Sequence, residues 1–91
     1  MTTTYRRTSS YECEELEDEL VVMECDSKAV VTLNPAGRLI WEALENRVTL
    51  DELEAVFRDV LPKLGEGRIR DDIRGVLDAL VTAGLVFIDG D

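Results

Sequence analysis

Histidine is absent from this 91-residue chain. With it go the commonest general base near neutral pH and the commonest metal ligand. There are only two cysteines, Cys13 and Cys25, spaced too far apart for a zinc or redox pair. Both fall in stretches that read as strand, so small buried thiols are expected rather than ligands or a disulfide. No carboxylate sits in an apolar setting that would raise its pKa, so neither catalysis nor a cofactor is expected. Aromatic residues make up 5% of the chain, too few for a pocket around a large cofactor. No apolar run exceeds four residues, which excludes a transmembrane helix and a secretory signal and points to the cytoplasm. Positive charge is also scarce. Ten basic residues face twenty acidic ones, a net charge of −10 that argues against nucleic acid and against an anionic membrane surface.

What remains is material for one small aliphatic core, 45% of the residues being hydrophobic. Residues 1–10 lack periodicity and read as a disordered tail, leaving 11–91 as a single domain. Eight acids and no base lie between Glu12 and Asp26. Within that stretch Tyr11 to Leu16 is a weak strand and Leu20 to Cys25 a stronger one. Asp26-Ser27-Lys28 is a turn, and Ala29 to Leu33 a third short strand.

Helical spacing follows. Asn34 is a good N-cap and Pro35 suits the first helical position. Ala36, Leu39, Ile40, Ala43 and Leu44 give the first helix an apolar face, with Trp41 beside it as a core residue. Thr49 and Glu52 form a capping box for a second helix striped by Leu50, Leu53, Phe57, Val60, Leu61 and Leu64, which Pro62 should end. Gly65-Glu66-Gly67 reads as a loop. A third helix runs from about Ile69 to Ala83 with Ile69, Ile73, Val76, Leu77 and Leu80 inward and Gly84 as its stop. Leu85 to Ile88 is a terminal strand. The expected fold is α+β: a small N-terminal antiparallel three-stranded sheet, three helices and a short C-terminal strand, in the outline of a winged helix-turn-helix.

Leu33-Asn34-Pro35-Ala36-Gly37, then Ile40-Trp41-Glu42, Thr49-Leu50-Asp51-Glu52-Leu53 and Asp78 to Val86 carry a resemblance. In order and spacing they resemble the PqqD-like family, named for pyrroloquinoline quinone biosynthesis protein D, over about residues 16–88. The resemblance implies a peptide-recognition element of modified-peptide biosynthesis. Such a protein captures the leader segment of a ribosomally made precursor and presents it to a modifying enzyme such as a radical S-adenosylmethionine enzyme, a protease or a cyclase. It also implies that the leader lies between the third strand and the third helix.

The residues suit that role. As an edge strand, Val30, Val31, Thr32 and Leu33 would offer unpaired backbone groups to an extended peptide. Arg70, Arg74, Leu77 and Val81 lie along one helical stripe, where the guanidinium groups could take leader carboxylates and the aliphatics apolar anchors. An open edge also allows a homodimer. Two other classes stay in view: an acidic structural or regulatory subunit of an enzyme complex, and a DNA-binding regulator. The second is opposed by Asp51, Glu52, Glu54 and Asp59 on the helix that would enter the groove, against Arg58 alone.

Overall fold

The structure, a computed structural model, describes residues 3–60 and 66–89. Two antiparallel three-stranded sheets and three helices make up the fold. Strands β2 (Tyr11–Leu16), β3 (Glu19–Glu24) and β4 (Val30–Leu33) form the first sheet in that order. Helix α1 (Pro35–Ala43) follows, then the two-residue strand β5 (Val48–Thr49), α2 (Leu50–Val60), α3 (Glu66–Thr82) and β6 (Val86–Asp89). The second sheet has the order β5-β1-β6, and its central strand β1 is Thr4–Arg7.

Residues 4–7 are therefore a paired strand and not part of a disordered tail. Thr4 and Tyr5 pair with Thr49 and Val48 on one side, and all four residues pair with β6 on the other. Their side chains carry little hydrophobic alternation: Tyr5 packs against the core, and two arginines lie over aromatic rings. Arg6 lies over the Phe87 ring at 5.0 Å and pairs with Asp89 at 2.9 Å. Arg7 sits 5.0 Å from the Trp41 ring and 5.3 Å from the Tyr11 ring, and its guanidinium donates to the Trp41 carbonyl at 3.1 Å. Guanidinium groups are attracted to aromatic faces, so Arg7 joins both sheets to α1. Tyr11 and Trp41 meet edge to face at 5.0 Å.

The helix signals hold where the structure describes them. The Asn34 carboxamide oxygen accepts from the Gly37 N–H at 2.8 Å, with Pro35 next to the cap. Thr49 and Glu52 exchange side chain-to-backbone bonds at 2.9 and 3.1 Å, the reciprocal pair of a capping box. Gly84 has φ +78°, and the bonds Leu85 N–H to Leu80 carbonyl and Gly84 N–H to Val81 carbonyl complete a Schellman stop. Helix α3 starts at Glu66, so Glu66-Gly67 belongs to the helix, while Leu61, Pro62, Leu64 and Gly65 lie outside the described residues.

Ile40, Trp41 and Leu44 pack with Leu53 and Phe57 of α2 and with Ile69, Ile73, Leu77 and Leu80 of α3. The sheets close this core through Leu20, Val22, Leu33 and Val86. A Cβ on Gly37 would stand 3.3 Å from the Leu33 Cβ, so this glycine lets α1 approach β4 closely. Cys13 is exposed on β2 and Cys25 half-buried after β3, neither being in a disulfide. The expected burial fails at Cys13 because every residue of β2 after Tyr11 is exposed.

Two outcomes test these local elements. Asn34→Ala should cost about 1 kcal/mol in urea denaturation, leaving one helix-start N–H without its acceptor. Glu24 is buried and accepts from the Asp26 and Ser27 N–H groups at 3.0 and 2.9 Å, bonds that hold its carboxyl below its ordinary 4.5. A depressed native pKa means a contribution that is complete above about pH 4.5 and lost as pH falls through the lowered value. Glu24→Gln should therefore flatten the acid limb of the stability–pH curve.

Candidate functional site

A strand in a sheet has two hydrogen-bonding edges, and β4 pairs only with β3 among the described residues. Which groups face outward follows from the ladder. The Glu24 N–H donates to the Ala29 carbonyl at 2.9 Å, marking these two as a hydrogen-bonded pair. Antiparallel pairs alternate, and the register sets Val30 opposite Met23, Val31 opposite Val22 and Thr32 opposite Val21. Val31 and Leu33 thus spend their backbone groups on β3. Val30 and Thr32 turn N–H and C=O outward.

Beside this edge an open groove of about 570 Å³ runs between β4 and α3, lined by Ala29, Val30, Val31, Asp78, Ala79, Thr82 and Ala83. The wall on the helix side is made of small residues. Gly75, one turn before Ala79, has nothing within 4 Å of where a Cβ would stand. The groove can therefore admit a strand together with bulky side chains projecting from it.

The other edge of the same sheet is built differently. Strand β2 carries Glu12, Glu14 and Glu15, all exposed, and carboxylates along an edge oppose the approach of another strand. Across Ala29 to Leu33 there is no charge at all. One edge is blunted and the other is not.

The eight residues singled out from the sequence divide. Val30 is 56% exposed and Val31 half-buried, and both line the groove, with Thr32 exposed on the same edge. Leu33 and Leu77, each 3% exposed, belong to the core and present no side chain to a guest. Arg70 and Val81 flank the buried stripe of α3 on one side and Ala79 on the other, while Arg74, Asp78 and Thr82, four residues apart, follow one another along the outward face at about 100° per residue. The residues of α3 that line the groove are Asp78, Ala79 and Thr82.

The first flank meets α2. Arg70 hydrogen-bonds the buried Glu54 and reaches Asp51 at 3.4 Å. Arg58 reaches Glu54 at 3.4 Å from the turn below. The Glu54 carboxyl is lowered first by the Arg70 hydrogen bond, against the opposing effect of burial, with the Arg70, Arg58 and Arg74 charges adding to it. These arginines stabilise a buried carboxylate, and Val81 packs half-buried against the core. The small residues Gly75, Ala79 and Ala83, repeating every four from α3 to just past its end, were the sequence signal for the groove side.

No group of three or more Cys, Asp or Glu among the described residues is placed to hold a metal ion. No helix among them is long and apolar enough to cross a membrane.

Arg70→Met should lower stability at pH 7 by about 1–2 kcal/mol, below the cost of breaking a fully buried pair because Arg70 is partly solvated. The depressed Glu54 pKa places this contribution above about pH 4.5, so the gap from the parent should close on acidification below that. Urea denaturation at pH 7 and pH 3.5 measures both.

A family model described as "Coenzyme PQQ synthesis protein D (PqqD)" matches residues 19–86. No curated protein matches the sequence. A solved structure described as "TbiB1 in Complex with the TbiA(beta) Leader Peptide" is similar with a TM-score of 0.74 at 20% identity, covering 89% of this chain and 93% of that one.

Proposed function

The chain belongs to the PqqD family, and from that premise we propose that it is a non-catalytic adaptor that captures the leader segment of a ribosomally made precursor peptide. The leader adds to β4 as a further strand of the first sheet. Its backbone exchanges hydrogen bonds with Val30 and Thr32, and alternate side chains enter the groove against α3. The observation that carries this reading is the uncharged, singly paired edge of β4 beside an open groove. That a protein of the same fold is described in complex with a leader peptide supports it.

Strand addition draws affinity from the backbone and leaves the rest of the guest free. A precursor held in this way can extend its core segment to a modifying enzyme, a radical S-adenosylmethionine enzyme, a protease or a cyclase being the classes in view. The same edge would pair two copies of the chain, so a homodimer and the leader-bound form exclude each other. The fold label that fits this reading is a winged helix-turn-helix in a cytoplasmic protein. Strands β5 and β6 flank α2 and α3 in chain order, and β1 supplies the middle strand of the wing.

A second reading rests on the outer face of the first sheet, where Val21, Met23 and Val30 line a hollow of about 660 Å³ with Glu12 and Glu14. Apolar side chains among carboxylates suit an acidic interaction subunit that docks on an enzyme without any leader.

Fluorescence titration with labelled leaders, taken from short precursor reading frames beside this gene, separates the two. On the adaptor reading one leader binds saturably. Thr32→Pro, which removes an outward N–H and no ladder bond, should weaken it about tenfold, while Val21→Lys on the outer face leaves it unchanged. Binding unaffected by Thr32→Pro, in a variant with native circular dichroism, contradicts strand addition at β4.

A further inference from the structure

We infer that the groove selects a guest strand by positive charge: Asp78 takes a Lys or Arg of the peptide, and the small wall around it takes a large apolar residue two positions away. This rests on the strand-addition reading and specifies its ligand.

The charge of the groove is the first observation. Asp78 is the one charged residue among those lining it. It is exposed and, among the described residues, makes neither a hydrogen bond nor an ion pair. Arg70 is bonded to Glu54 on the α2 side, and Arg74, one turn before Asp78, lies outside the groove lining and makes no ion pair with Asp78 among the described residues. A guest carboxylate in the groove would meet a like charge with no cation from the lining residues beside it. A guest ammonium or guanidinium would meet a carboxylate that nothing else occupies. Stacking a strand over Asp78 removes water from one side of that contact, which raises its strength above that of a fully solvated pair.

Shape is the second observation. Ala79, Ala83 and Gly75 leave the helix wall low, and Val31 faces it from β4. In an added strand every second side chain points to the same face, about 7 Å apart. That spacing is close to the 5.4 Å pitch of the helix beneath, so neighbouring inward positions meet neighbouring turns of α3. One inward position over Asp78 favours a cation, and the next, over the low wall, favours a large apolar side chain.

The test uses the full chain against a displayed library of random dodecapeptides, with Asp78→Asn and Asp78→Lys selected in parallel. Circular dichroism checks that each variant is folded. The parent should enrich peptides with Lys or Arg two residues from a large apolar residue. Asp78→Asn should lose the charge preference and Asp78→Lys should shift it to Asp or Glu. For one enriched peptide, Lys→Glu should weaken anisotropy-measured binding to the parent five- to tenfold and strengthen binding to Asp78→Lys.

Enriched peptides that depend on the Thr32 edge yet show no charge preference, or an acidic one, overturn the inference while strand addition stands. Peptides whose binding ignores Thr32→Pro, or no enrichment at all, overturn both.

Discussion

The structure turns on a backbone fact. Strand β4 has hydrogen-bonding groups on two edges and spends one of them. Unpaired N–H and C=O groups next to an apolar surface invite another strand, and folded proteins usually block such edges with charge. Here the blocking is one-sided. Glu12, Glu14 and Glu15 occupy β2, whereas β4 reads Val-Val-Thr-Leu. The acidity of the chain thereby acquires a location: it keeps one edge of the sheet solvated while the other stays uncharged.

Holding that edge in place requires a rigid support, which comes from contacts distant in sequence. The Leu33 side chain is in the core and its neighbour Gly37 lets α1 press against it, fixing the end of β4. Arg7 ties the first strand to Trp41 and Tyr11, so the N-terminal strand, α1 and the first sheet are one packed unit. On the far side of α3, the Arg70–Glu54 contact anchors the helix to α2 and fixes which flank faces β4. The groove is what remains between two elements that are each anchored from behind.

The parts legible in the sequence were those encoded locally. Asn34-Pro35, the Thr49–Glu52 box and Gly84 each act within a few residues, and each forms the bonds expected of it. The Val-rich runs of β3 and β4 were likewise readable from composition. Strand β1 was not, because its partners lie more than forty and about eighty residues away and only Tyr5 of its four side chains is a hydrophobic one packed on the core. The site was half legible. Periodicity fixes which stripe of α3 is buried, but two flanks adjoin that stripe and sequence does not say which one meets β4. Arg70 and Arg74 drew attention by their charge, yet Arg70 is bonded to α2 and Arg74 lies outside the groove lining; the quieter Gly75 and Ala79 lie on the groove side. Cys13 misled for a related reason, since a strand pattern does not reveal whether anything covers the strand.

Amide hydrogen exchange read residue by residue by NMR tests the open edge most directly. In the free protein the Val30 and Thr32 amides should exchange quickly while Val31 and Leu33, bonded to β3, exchange slowly. A bound leader should slow Val30 and Thr32 strongly and leave the amides of β2 unchanged. Slow exchange at Val30 and Thr32 before any peptide is added, or protection by the leader appearing on β2 instead, would contradict the account.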